Sequence, residues 1–206
     1  ATRSMPGARW FPNLRLNYAE QVFRQTDATR PALIARREHA ALEVVGWDDL
    51  AALAGAFAAT LRRLGIRPGD RVAAYLPNRV ETVAAFLACA SQGIVWSSCS
   101  PDMGPALVAD RLRQIEPRVL LATDSHVWSG RTHDREASVA ELLRSLPSVE
   151  QVVHVPGPLA EARAVAWRDR LAWSDAIAER APLRYERVPF DHPLWIVYSS
   201  GTTGLP

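Results

Sequence analysis

GDRVAAYLPNRVETVAAFLACASQGIVWSSC, residues 69–99, sets two short apolar runs, RVAAYL and IVWSSC, on either side of one longer apolar segment. RVAAYL lacks the polar alternation of a strand with one wet face, which predicts a strand covered on both sides. Pro77-Asn78 interrupts it, and NRVETVAAFLACASQG then reads as a helix, with Asn78 placed to cap and Glu81 three residues on, the spacing of a capping box. Gly93 closes that helix, and IVWSSC (94–99) is the next strand. Strand, helix and strand in about thirty residues make a βαβ unit with parallel strands.

The pattern continues on both sides. In WDDLAALAGAFAATLRRLGI, Leu50, Leu53, Ala54, Phe57, Leu61 and Leu64 recur at helical spacing, with Asp48 and Asp49 at the start and Gly65 past the end. After the second strand come a loop (SPDMG), a helix (PALVADRLRQIE) stopped by Pro117, and a strand (VLLAT). A polar loop, DSHVWSGRTHDREA, leads to SVAELLRSL, a helix with a second capping box in Ser138 and Glu141, and then to the strand QVVHV (151–155). Residues 156–190 read as an irregular connection with one short helix near WSDAIAER, and LWIVYSS returns to the sheet. The order predicts an α/β fold, a mostly parallel, doubly wound sheet with flanking helices. No repeat or linker forces a domain boundary.

Composition narrows the function. Lys+Arg 24 against Asp+Glu 22, spread evenly, gives no basic block for nucleic acid or an anionic membrane, so the expected partners are small molecules. All the basic residues are arginine, so chemistry that needs a lysine ammonium must find it outside this sequence. Cys89 and Cys99 stand in apolar runs and read as buried thiols in a reducing compartment. No stretch has the length or pattern of a membrane span or signal peptide, so a soluble, cytoplasmic protein is expected. The five histidines show no metal-ligand spacing, His192 reads as setting a turn before the last strand, and Ser97, Ser98 and Cys99, without a nucleophile elbow around them, read as strand-end packing.

The last strand runs into Ser199-Ser200-Gly201-Thr202-Thr203-Gly204. In open α/β sheets, ligands collect beyond the carboxyl ends of strands. Two glycines that let an anion approach the main chain, with four hydroxyl donors beside them, suit phosphate oxygens. Read alone, such a tip also fits a plain turn. It is not GxxxxGK[ST], which argues against a P-loop switch.

YSSGTTGLP resembles the phosphate loop of the AMP-forming adenylating enzymes, the superfamily of acyl-CoA synthetases, peptide adenylation domains and luciferases, whose pattern is [ST]SG[ST]TGxPK. Every position through Pro206 matches; the family's lysine position is the next one. WFPNLRLNYAEQVF (10–23) is similar to the opening segment of short-chain acyl-CoA synthetases, and WSSCSPDMG, RLRQIEPRVLLATD and VPFDHPLWIVYSSGTTGLP most closely resemble the acetoacetyl-CoA synthetase family.

The resemblance implies that residues 1–206 are the N-terminal portion of an AMP-binding domain, reaching as far as the phosphate loop, with the C-terminal lid domain absent from this stretch. It implies ATP-dependent activation of acetoacetate to acetoacetyl-CoA through an acyl-adenylate, in lipid and fatty acid metabolism, with ATP, CoA and Mg²⁺. Ser199, Ser200, Gly201, Thr202, Thr203 and Gly204 would wrap the β- and γ-phosphates. CoA would meet VWSGR, where Trp128, Ser129, Gly130 and Arg131 match a family loop in part: Arg131 stands at one of two arginine positions and Trp128 at the other. The family's adenine, metal and catalytic-lysine residues lie beyond the loop, so these 206 residues alone are expected to be inactive, with the rest of their polypeptide packed on an exposed apolar surface. The alternatives are another short-chain acyl-CoA synthetase or adenylation domain, or a non-catalytic nucleotide-binding module.

Overall fold

A computed structural model describes residues 7, 10–24, 26–38, 40–161 and 164–199. In chain order the elements are β1 (Arg15–Leu16), α1 (Tyr18–Arg24), β2 (Leu33–Ala35), β3 (Glu43–Val45), α2 (Trp47–Arg63), β4 (Arg71–Tyr75), α3 (Val80–Ser91), β5 (Val95–Cys99) and α4 (Pro105–Arg113). They continue as β6 (Val119–Ala122), β7 (Ser125–Trp128), β8 (Arg131–Asp134), α5 (Glu136–Ser145), β9 (Gln151–His154), β10 (Arg170–Ala172), α6 (Trp173–Ala176), β11 (Val188–Pro189) and β12 (Trp195–Ile196).

Six strands form one sheet in the order β10-β9-β6-β4-β5-β12, and every neighbouring pair is parallel. Alternate residues of β4 divide the core. Val72 and Ala74 face Leu50, Ala54, Phe57 and Leu61 of α2 and Ala84 and Ala88 of α3. Ala73 and Tyr75 face Val108 and Leu112 of α4 and Val139 and Leu142 of α5. Helices on both faces leave β4 beyond Arg71, and all of β6, no polar side, and that is why residues 72–75 and 119–122 are unbroken buried runs.

The doubly wound sheet follows the expectation, and several local expectations do not. Both capping boxes fail. α3 begins at Val80 with Arg79 in the cap position in extended backbone, and no side chain caps it. Arg79 instead forks onto Glu81 (2.7 and 2.6 Å). α5 begins at Glu136, so Ser138 lies inside it, while the Asp134 carboxylate accepts the Glu136 amide at 2.9 Å. α4 ends at Arg113, before Pro117 is reached. The polar loop 124–137 contains the antiparallel β7–β8 hairpin, and the connection 156–190 contributes an edge strand, β10, and β11, which pairs with β1.

Before β4, the chain forms α1 and the β2–β3 hairpin, and the start of α1 is held by the buried amide of Asn17. Its Nδ2 donates to the carbonyls of Ala90, Ser91 and Glu186 at 2.8–3.0 Å, and its Oδ1 accepts the Glu20 amide. One side chain thus caps α1 and satisfies the carbonyls at the end of α3. His192 sets the turn before β12: its amide bonds Pro189 O and its ring meets Gly93 O at 2.7 Å. Both cysteines are free and buried. Among the described residues no helix is long and apolar enough to cross a membrane.

Helix α2 lies against the chain at 181–183 through Gly55. A Cβ there would fall on the Ala181 carbonyl oxygen, well inside van der Waals contact, and 3.0 Å from the Leu183 amide nitrogen. Gly55→Ala should gain about 1 kcal/mol of helix propensity but lose about 2–3 kcal/mol to overpacking against backbone. The net expectation is a lower melting temperature, read by thermal unfolding.

Candidate functional site

The strand order reverses at β4. From β5 the chain crosses through α4 to β6 on the other side of β4, and β9 and β10 extend that side. Such a switch point opens a crevice at the carboxyl ends of the strands. Tyr75 pairs in register with Cys99 and Ala122, and Ala122 with His154, so β4, β5, β6 and β9 end at one level. Beyond that level a cleft of about 600 Å³ lies among Pro77, Asn78, Ser100, Ser125, Trp128 and Gly157.

The cleft floor is pinned by Asp124, directly after β6 and buried. Its Oδ1 accepts from His154 Nε2 and the Gly157 amide, and its Oδ2 from Ser125 Oγ, each at 2.8 Å. The ionised carboxylate only accepts, so Nε2 carries the His154 proton, and Arg170 Nη1 approaches Nδ1 at 3.4 Å. Burial opposes the charge, yet the bonds from His154, Gly157 and Ser125 outweigh it and hold the Asp124 carboxyl below the usual aspartate range. Ser125 Oγ also receives the Leu159 amide (2.9 Å), so the loops after β6 and β9 are locked together.

The β7–β8 hairpin forms one wall. Its turn residues, Ser129 and Gly130, both have positive φ (51° and 71°), as a type I′ turn needs. The Glu38 carboxylate accepts both turn amides, from Ser129 N at 3.0 Å and Gly130 N at 2.6 Å. Trp128 pairs with Arg131 and His126 with His133, and residues two apart on a strand share a face, so all four project to one side of the ribbon. The rings of His126 and His133 stack at 5.5 Å. Trp128, 56% exposed, presents its ring at the cleft. His126 Nε2 meets Asp102 Oδ1 at 2.8 Å, tying the hairpin to the loop after β5. That loop is held from below by buried Tyr75, whose hydroxyl lies 2.9 and 2.7 Å from the carbonyls of Pro101 and Met103; burial pushes its phenol up to about 12.

The last strand lies at the edge of the sheet, outside the lining of this cleft. β12 pairs with β5 from Trp195 to Ile196, and Ser97 Oγ reaches Ile196 O at 3.0 Å, a use for Ser97 as strand-end packing. Trp195 (46% exposed) and Val197 (75%) stand open on this edge. Tyr198 then bonds Arg111 O at 2.6 Å, and Ser199 follows, exposed, at the carboxyl side of the sheet. Ser200, Gly201, Thr202, Thr203 and Gly204 of the candidate phosphate loop lie outside the described residues.

Of the anticipated residues, Trp128, Ser129, Gly130 and Arg131 are thus together on the hairpin tip and Ser199 is at the end of the last strand. Asp124, His154, Asp102, Glu38 and Arg111 were missed. Only the hairpin had a short-range signal, Ser129-Gly130 between two four-residue segments.

The chain is thus of the doubly wound α/β class, a parallel sheet with a cleft at its switch point. The AMP-binding enzyme family matches residues 19–206, and the chain belongs to that family. It is 43% identical over 204 residues to acetoacetyl-coenzyme A synthetase of Rhizobium meliloti (strain 1021), covering 98% of this chain and 31% of that protein. It is 38% identical to acetoacetyl-CoA synthetase of Xenopus tropicalis, covering 96% of this chain and 31% of the relative. The fold superimposes on acetoacetyl-CoA synthetase from Streptomyces lividans with a TM-score of 0.91 at 46% identity, covering 100% of this chain and 32% of that one. The chain therefore spans about a third of the length of the relatives it matches.

Proposed function

We propose that this chain is the N-terminal portion of an ATP-dependent acetoacetate–CoA ligase, the part that holds the triphosphate and the nucleotide end of CoA. The observation that carries the reading is the 43–46% identity, over essentially the whole chain, to proteins named acetoacetyl-CoA synthetase. In the first step a carboxylate oxygen of acetoacetate bonds to the α-phosphorus of ATP while the bond to pyrophosphate breaks. In the second the CoA thiol, losing its proton, attacks the acyl carbon and AMP leaves.

The physical obstacle in the first step is repulsion between a carboxylate and a polyanion. Donors fixed on the β- and γ-phosphate oxygens lower it by stabilising the charge that accumulates on the departing pyrophosphate. Ser199, Ser200, Gly201, Thr202, Thr203 and Gly204 are assigned this positioning role, and none of them a proton transfer. Mg²⁺ enters as the companion of ATP in the substrate. Among the described residues no group of three His, Cys, Asp or Glu side chains could hold a metal ion.

For CoA, the hairpin face offers Trp128 for stacking on adenine and Arg131 for a phosphate. The turn amides of Ser129 and Gly130 already hold the Glu38 carboxylate, so these two residues are assigned the shape of the turn rather than an anion contact. The remainder of the polypeptide is assigned the adenine site, the lysine this chain lacks and the cover over the β12 edge.

The test is acetoacetate-dependent AMP release by the full-length gene product, compared with acetate, propionate and butyrate. Acetoacetate should be preferred by at least about tenfold in kcat/KM, the low end of what a size difference alone gives in an apolar pocket. Preference for acetate would overturn the substrate assignment, and no AMP release with any acid would leave a nucleotide-binding module.

A further inference from the structure

The β7–β8 hairpin is a two-stranded sheet of its own, outside the six-stranded sheet, and so is the β2–β3 hairpin. At its base, β7–β8 is tied down by His126 on Asp102 at 2.8 Å. Its tip has a separate tether. Ser129 and Gly130 stand at positive φ (51° and 71°), and successive turn amides of this kind form a concavity for an anion. The anion there is internal. Glu38, three residues past the end of β2, accepts the Ser129 amide at 3.0 Å on one carboxylate oxygen and the Gly130 amide at 2.6 Å on the other.

Such a charge-assisted, two-pronged contact fixes orientation as well as distance. Trp128 and Arg131, paired across the turn, are the immediate neighbours of the two amides. Where Ser129 and Gly130 are held, these two side chains are held as well. Glu38 also brings a negative charge beside a face assigned to phosphate. Arg36 and Arg37 precede it and line the same cleft as Trp128, so residues 36–38 carry two positive charges against one. The carboxylate is engaged by the turn amides, which are thereby closed to any other anion.

We propose that Glu38 is a positioning residue for the CoA subsite: its carboxylate clamps the tip of the β7–β8 hairpin and so sets where Trp128 and Arg131 meet the nucleotide end of CoA. The proposal rests on the reading of the hairpin face as that subsite. It adds a side chain 91 residues upstream of the turn, outside the loop that carries the family resemblance.

The experiment compares Glu38→Ala, Glu38→Gln and Arg131→Ala in the full-length gene product, reading KM for CoA and for ATP separately together with the melting temperature. Loss of about one charge-assisted hydrogen bond's net worth at the tip predicts that Glu38→Ala raises KM for CoA about tenfold. KM for ATP should change by less than about twofold, the coupling expected between separate sites. The Glu38→Gln side chain keeps its reach, but its carbonyl serves one amide while its NH₂ opposes the other, so KM for CoA should rise about threefold. An unchanged KM for CoA in folded Glu38→Ala, equal rises in both KM values, or a Glu38→Gln enzyme indistinguishable from the parent would overturn the proposal. Should Glu38→Ala fail to fold, Glu38→Gln decides in the same way. Arg131→Ala separates the two failures: if it also leaves KM for CoA unchanged, the reading of the hairpin face has failed, whereas a rise with Arg131→Ala alone sinks only the role of Glu38.

Discussion

Asp124→Ala should destabilise the protein by about 3–5 kcal/mol, the usual consequence of removing one member of a buried charged cluster. The carboxylate has no solvent exposure and receives three hydrogen bonds at 2.8 Å, from His154, Gly157 and Ser125. Truncation leaves all three donors short of a partner, each with a desolvation cost of about 1–3 kcal/mol where water cannot enter. For a unit of this size the change corresponds to roughly 10 °C in melting temperature. Trp167, edge-on to the His154 ring at 5.2 Å, gives a local fluorescence report of the same event. The pH dependence has a definite sign. The folded carboxyl titrates below the unfolded aspartate value of about 3.9. Its contribution is therefore complete above that pH and is lost as pH falls through the folded value. The stability gap between the parent and Asp124→Ala should be constant near neutrality and narrow below about pH 4; a gap that widened on acidification would contradict the assignment of an ionised Asp124.

Gly157→Ala should destabilise by about 3 kcal/mol, the upper end of overpacking costs. An added Cβ would fall on the Ser125 carbonyl oxygen and lie 2.7 Å from its carbonyl carbon, and backbone in a strand end has no rotamer by which to move aside. The loop after β9 must then withdraw, pulling the Gly157 amide from Asp124 and the Leu159 amide from Ser125. Because both substitutions open the same cluster, Asp124→Ala and Gly157→Ala together should cost less than their sum by about 1 kcal/mol or more in thermal or urea unfolding. Strict additivity would show that the two loops are held independently. Gly157 also lines the cleft, so the KM for CoA should rise in Gly157→Ala while the KM for ATP stays near that of the parent.

The central sheet was legible because β4 and β6 are covered on both faces, which favours the apolar runs 72–75 and 119–122. Edge pieces obey a weaker rule. β10 is RLA and β12 only Trp195–Ile196, each paired on one side, so neither carries a pattern distinct from loop. The helix starts misled because capping residues compete. Asn78 and Ser138 had the right spacing, but the Arg79–Glu81 fork and the Asp134 carboxylate set the starts elsewhere. In the candidate site, the hydroxyl-rich string after β12 and the hairpin tip at 128–131 could be read locally. The cluster that shapes the cleft could not: Asp124 and His154 are thirty residues apart and meet only because β6 and β9 are neighbours in register. Glu38 is farther still from the turn amides it holds, 91 residues from Ser129.

The most direct measurement is a crystal structure of the full-length gene product with ATP bound. The account predicts β- and γ-phosphate oxygens within about 2.7–3.2 Å of the amides and hydroxyls of residues 199–204, beyond the carboxyl end of β12. A triphosphate bound elsewhere, with those donors bonded only to neighbouring main chain, would contradict it.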